Sequence, residues 1–550
     1  MKKTLCAALA LIIALSASAC AEKTDDSSAP AESSTASGTA RKQNKSSGTT
    51  KKAADTEDSS IGKGIALIEI NTKNTDSLDF ITEPVCGHVA EKIAGWTPGY
   101  VMPPEPYYEE CTVTVYDKEG APLTENAAAN VKVRGNWTTT YSKKPLRIKF
   151  DEKQPMLGLN DGAELKNWVL LAEYKDISML RDKTALAFSR DILGEDGLYA
   201  ADADFAEVTV NGEYWGVYLV TEQQQVNSRR VDITKPEDNY EGTDIGYFME
   251  YDGYFYTEDE LHSFPLDFNG NAPLTPYDGE GGSRTMTVLS LDGRDFKEDV
   301  GVTIKSDIYS QAQRDFIAGY VNNVYNIMYH AAYDGEAWVF DDSFEAISKT
   351  DSLTPREAVE KVVNVNSLAD MYIISELTCD ADLFWSSFYM SADLGEGGDK
   401  RLTFQAPWDF DSAMGNKDRC ADGTGFYAAN IIPDVNGGPG NGGTYESINP
   451  WLAMLMYEDW YQDIIREKWT SAYDAGVFEN AAAMAEADKT DLHEAFKRNY
   501  DRWGNLSFDR PFENELSRAA AKCKTHEMAA DQLIEWFNAR VAFMNDQWHK

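Results

Sequence analysis

The chain has 550 residues, 43% apolar and 12% aromatic, enough to bury a large core, and 91 Asp and Glu outnumber 51 Lys and Arg for a formal net charge of −40. That surplus excludes a nucleic-acid partner, because phosphate binding needs a basic face. The seven cysteines contain no C-x-x-C and the six histidines no H-E-x-x-H, so a zinc centre is not expected.

Met1-Lys-Lys-Thr4 is basic and Leu5 to Leu15 apolar, too short to span a bilayer, which is the pattern of a secretory signal. Ala17-Ser-Ala-Cys20 resembles a bacterial lipoprotein cleavage box, although Leu is commoner than Ala at position 17. Residues 1–20 are therefore expected to be a lipoprotein signal peptide, with Cys20 taking the lipid and holding the protein to the outside of the cell membrane. Plain secretion is the alternative. Residues 21–61 are Ser, Thr, Ala and Lys without aromatics or apolar periodicity, and read as a disordered tether. The acidic surplus belongs to the remainder of the chain, expected to be one unit of two lobes: a β-rich part over 62–235 and a mostly helical part over 236–550, an α+β fold. Cys86 with Cys111, and Cys379 with Cys420, are candidate disulfides.

The first half reads as strands at Ile65–Ile70, Cys111–Tyr116, Ala129–Val133 and Pro145–Phe150. In the last of these Arg147 and Lys149 share a face, either solvated or turned into a cleft to pair with phosphate oxygens. A helix is expected over Ser178–Ile192 with Ser178 as its cap. Asn211-Gly212 between alternating runs marks a hairpin of Phe205–Val210 with Tyr214–Glu222. Glu222 ends an apolar strand, so it reaches solvent or meets a cation such as Lys149. After a strand at Gly246–Glu250, helical spacing returns over Gln311–Tyr329, with Phe316, Ile317, Tyr320, Val321 and Val324 as its apolar stripe. A second apolar helix, Asn366–Leu377 with Ser367 as its cap, runs into the acidic loop Cys379–Ser387 and the strands Phe388–Met390 and Leu402–Phe404.

Those strands lead to Gln405-Ala-Pro-Trp-Asp-Phe-Asp-Ser-Ala-Met-Gly-Asn416. On an extended segment Asp409 and Asp411 face the same side, and two carboxylates so placed repel unless a shared proton or a hard cation such as Mg2+ or Mn2+ lies between them. The G-x-G-x-x-G at Gly438–Gly443 lacks a preceding strand and reads as a loop, not a phosphate cradle. Residues 447–547 are helical, with aromatic stripes of core type.

Helix, acidic loop, hairpin and acid pair follow the order of a kinase catalytic region, with Asp382 five residues before Ser387 and Asp409 27 residues on. The chain resembles the spore-coat protein H (CotH) kinases. The likeness rests on Val133-Arg-Gly-Asn136, Lys144-Pro-Leu-Arg-Ile-Lys149, Asn167-Trp-Val-Leu-Leu171 with Leu180-Arg-Asp182, and Gly212-Glu-Tyr-Trp-Gly-Val-Tyr218 with Glu222. It continues in Glu376-Leu377 with Asp382 and Ser386-Ser-Phe-Tyr389, and in Pro407-Trp-Asp-Phe-Asp411 with Gly415-Asn416. The resemblance implies ATP with Mg2+ or Mn2+ as cofactors and a serine of an extracellular protein as acceptor. It makes Asp382 the catalytic aspartate, Asp409 the metal-binding one with Asp411 beside it, and Ser387 a further metal-side residue. Lys149 and Glu222 become the phosphate-binding lysine and its carboxylate partner, with Lys144 competing for the lysine role and Arg134 near the phosphates. Asp380 stands where many relatives have Asn. A carbohydrate-active enzyme using paired acids and a non-catalytic surface-binding protein are the alternatives.

Overall fold

The computed structural model describes residues 60–550 apart from 283, 292–293, 296–299, 381, 385, 418–421, 434–444 and 507–515. The signal segment, the tether up to residue 59, Cys420 and the Gly438–Gly443 stretch lie outside the described residues. Seven strands close into a barrel: β1 (Ala66–Thr72), β2 (Glu109–Tyr116), β3 (Pro122–Val133), β4 (Leu146–Gln154), β5 (Leu165–Leu171), β6 (Ala203–Val210) and β7 (Glu213–Glu222). Their order around it is β1-β2-β3-β4-β5-β7-β6, closed by a parallel pairing of β1 with β6 that sets Ile68 beside Val208. Period-two alternation turns Ile68, Val113, Val131, Ile148, Trp168 and Val220 into the barrel, all fully buried. Each such side chain contributes about 1.5–3 kcal/mol of burial. The hairpin turn is as its residues demand, with Asn211 at φ 52° and Gly212 at 76°.

The outer face of β5, β6 and β7 is not solvated. Val169, Phe205, Val217 and Leu219 join a second core with Leu186 and Phe188 of α2 (Arg181–Gly194; α1, Gly87–Trp96, precedes β2). That core continues into a five-stranded sheet, in which β8 (Gly246–Asp252) lies between β10 (Gly301–Ile304) and β11 (Phe388–Asp393). β9 (Ser263–Pro265) and β12 (Leu402–Phe404) form its edges. Around it pack α3 (Gln311–Tyr329), α4 (Val365–Thr378), α5 (Asp459–Asp474), α6 (Val477–Asp491), α7 (His493–Trp503) and α8 (His526–Trp548). Strands dominate the first half of the chain and four helices, α5 to α8, close it, with a mostly antiparallel barrel and sheet between, the α+β class.

Two caps differ from expectation. Asn364, not Ser367, caps α4, accepting from Ser367 N at 3.3 Å; Ser367 is buried inside the first turn, where its Oγ accepts from Phe404 N and so ties the helix to β12. α2 begins at Arg181 because Asp176 and Ser178 form a buried turn ahead of it, with Asp176 accepting from the N–H groups of Ser178 and Arg181. Of the expected α3 stripe, Phe316 is only partly buried. Cys86 and Cys111 are separate thiols; Cys86 Sγ lies 3.3 Å from His88 Nδ1.

Candidate active site

Helix α4 ends on Cys379, whose left-handed φ of 47° turns the chain into an acidic loop. There Asp382 N donates to Asp380 Oδ1 at 3.0 Å, an Asx turn that fixes the relation of the two acids. From the other side β12 delivers Asp409 and Asp411. They do not lie on the extended segment that strand alternation suggests: Asp409 has a φ of 71° and residues 411–416 form a turn. Long-range bonds hold that turn. Phe410 N donates to Asp182 Oδ1 at 2.8 Å, Met414 N to Thr378 O at 2.7 Å, and the Arg181 guanidinium to Met414 O at 3.3 Å.

The result brings Asp382, Asp409 and Asp411 together, with one oxygen of each within 4.8 Å of the others. Ligand bonds of about 2.1 Å for Mg2+ or about 2.4 Å for Ca2+ put opposite ligands about 4.2–4.8 Å apart, so one hard divalent ion fits the set. Ser387 adds a hydroxyl, its Oγ donating to Asp409 Oδ2 at 3.3 Å. Its N–H donates to Glu250 Oε1 at 2.8 Å, and Glu250 is paired with Lys305 at 2.7 Å. Burial first, then the charges of Asp411 and Asp382, hold the Asp409 carboxyl well above the ordinary carboxylate range. Burial and then Asp382 do the same to Asp380.

Cations offset this charge from two sides. Lys175 Nζ lies 2.7 Å from Asp411 Oδ1 and donates to Ser412 Oγ at 2.5 Å, with 9% of its side chain exposed. Burial alone would lower the lysine; Asp411, Tyr141 and Asp382 outweigh it and hold the ammonium well above its usual range. Arg134, at the end of β3, stands with its guanidinium carbon 5.8 Å from the Trp408 ring. Burial lowers its pKa and Asp409 acts against that. Behind the cluster, burial and then Asp411 push Asp182 up to about 7, and burial and then Asp182 raise Glu173 well above the ordinary carboxylate range.

Among the residues singled out from sequence, Asp382, Asp409, Asp411, Ser387 and Arg134 converge. Lys149 and Glu222 do not meet. Lys149 is exposed on the outer face of β4, opposite Asn130 and Asn167, whereas Glu222 is buried and paired with Arg230 at 3.2 Å. Glu222 is further bonded to Asn160 Nδ2 and Asp202 N, so its demand for donors is met at the barrel end. Lys144 is buried too, but its ammonium donates to Thr139 O in its own turn, and burial lowers it to about 8. The lysine beside the acids is Lys175, which strand period could not single out because it sits in a turn. The available signal was the charge cluster Glu173-Tyr-Lys-Asp176 directly after an apolar strand, where buried charges need partners.

The family described as CotH kinase protein matches residues 131–544. The chain belongs to that family. No curated protein matches the chain. The CotH kinase match takes in Arg134, Lys175, Asp382, Ser387, Asp409 and Asp411. It starts inside β3, so β1, β2 and α1 precede it.

Proposed function

We propose that this CotH kinase family member is an ATP-dependent protein kinase, with the barrel as one lobe, the helical part as the other and the nucleotide between them. The observation that carries the reading is the convergence of three carboxylates under Lys175 and Arg134. Phosphoryl transfer needs positioning and charge stabilisation more than covalent chemistry by the protein, and these residue types supply both. Asp409, Asp411 and Ser387 would hold Mg2+ or Mn2+, which when bound neutralises charge on the phosphates. Asp382 accepts the hydrogen bond of the acceptor serine and takes its proton as the new P–O bond forms and the γ-phosphorus separates from the bridging oxygen of ATP. Arg134 steadies the phosphates, and Lys175 holds Asp411 in place through their ion pair.

Glycoside hydrolysis asks for two carboxyl groups flanking a sugar, whereas three carboxylates converge here beside two cations, an arrangement suited to a metal and phosphates. A lipid at Cys20 would keep the enzyme outside the cell membrane, acting on an extracellular protein. The test is thermal stabilisation by ATP with Mn2+ or Mg2+, followed by transfer of labelled phosphate, in the wild type, Asp382→Ala and Asp409→Ala. Asp409→Ala is expected to lose the metal-dependent stabilisation, and Asp382→Ala, which leaves Asp409 and Asp411 in place, to keep part of it while losing transfer at least 100-fold. A protein that no nucleotide stabilises would be a non-catalytic binder.

A further inference from the structure

Ser387, whose hydroxyl stands beside Asp409, is held in a backbone conformation that residues other than glycine adopt rarely. Its φ is 62°, in the left-handed region, and it comes one residue before β11 begins, so its N–H falls outside the ladder of the sheet. A buried N–H without an acceptor is costly. The acceptor here is supplied from 137 positions away, by Glu250 Oε1 at 2.8 Å. One residue earlier, Ser386 N donates to Asp382 O at 2.9 Å. The acidic loop is thus closed on itself at Ser386 and fastened to the sheet at Ser387.

Glu250 lies on the middle strand. On β8 it stands opposite Thr303 of β10 and Tyr389 of β11 and is 7% exposed, so ladders on both sides set its position. A buried carboxylate bridged to Asp409 by a single residue adds to the repulsion there unless a cation offsets it. Lys305, which follows β10, brings that cation to Glu250 Oε2 at 2.7 Å. Asp252, the next acid along the same face of β8, is engaged elsewhere, accepting from Thr303 Oγ1 at 2.9 Å and from Tyr254 N at 2.7 Å. Both oxygens of Glu250 are therefore committed, one to the ammonium and the other to the Ser387 N–H.

We propose that Glu250, held by Lys305, is a positioning residue for the divalent cation: its grip on the Ser387 N–H keeps the Ser387 hydroxyl turned towards Asp409, where that cation would bind. The backbone at Ser387 decides where its Cβ points, and the hydroxyl lies 3.3 Å from Asp409 Oδ2. Because the grip comes from a central strand and not from a loop, the hydroxyl is ordered before any metal arrives, and binding need not order it. This inference rests on the kinase reading and adds to it the residues that set the strength of its metal site.

Calorimetric titration of the full chain with Mn2+ alone tests it. Glu250→Met combined with Lys305→Met replaces the ion pair by apolar side chains of similar length and leaves no buried charge unpaired. That paired variant is expected to bind Mn2+ about tenfold more weakly, and so is Ser387→Ala. The triple variant should bind no more weakly than Ser387→Ala, because Glu250 acts only through Ser387. Glu250→Gln, which keeps an acceptor for the N–H, should stay within about threefold of the wild type. Wild-type Mn2+ affinity in the paired variant, or a further tenfold loss in the triple variant, overturns the inference, while phosphate transfer by the wild type then leaves the kinase reading standing. A wild type that does not bind Mn2+ overturns both.

Discussion

Lys175 and Asp411 form a buried ion pair whose removal would leave a carboxylate next to two others. Breaking such a pair from one side costs about 3–5 kcal/mol. Lys175→Met is accordingly expected to lower the melting temperature in chelator and to cut phosphate transfer at least 100-fold, with Mn2+ restoring part of the stability but little of the transfer. Paired melts with and without Mn2+ check this. Asp182 supplies a pH dependence. Its carboxyl, pushed up to about 7 chiefly by burial, lies above the ordinary value near 4 that it regains on unfolding. The native state therefore binds the proton more tightly, and this group's contribution is full below about pH 4 and is lost as pH rises through 7. Metal-free protein should melt lower at pH 8 than at pH 5, and Asp182→Asn should flatten the slope. At this scale the three catalytic-type carboxylates were legible from residue order, since acids at the ends of a helix and a hairpin have few places to go. The cations were not, because Lys149 and Lys175 differ in surroundings and not in type.

Among the elements, β7 is fixed to α7 by a contact that allows no side chain. Gly216 has a φ of 120°, and an added Cβ would meet Asn499 Oδ1 at 2.6 Å and Trp503 Nε1 at 2.8 Å. Those two groups bond to β7 itself, Asn499 accepting from Val217 N at 3.1 Å and Trp503 donating to Trp215 O at 2.7 Å. Gly216→Ala should destabilise the protein by about 2–3 kcal/mol, through strain and overpacking together, as read by denaturant unfolding. Strand and helix positions follow the apolar period closely, from the Asn211-Gly212 hairpin to α3. The caps strayed because Asn364 and Ser367 have equal cap chemistry, and only the contact of Ser367 with Phe404 N tells which is free for the task.

For the whole molecule, the CotH kinase match begins at residue 131, yet the barrel needs what comes before. A chain trimmed to start at residue 131 would lose β1, β2 and most of β3, leaving β4 and β6 as unpaired edges. Such a protein is expected to aggregate on expression, whereas one starting at residue 60 should elute as a folded species on size exclusion. Barrel closure could not be read from the sequence: alternation announces strands, but the pairing of β1 with β6 joins segments well over a hundred residues apart.

That same pairing imposes a timetable on biosynthesis. The first strand leaves the ribosome long before the sixth appears, so one of its edges stays uncovered meanwhile. Chaperones that meet the emerging chain would have to shield that edge, and a stalled synthesis would show itself first as misassembled product.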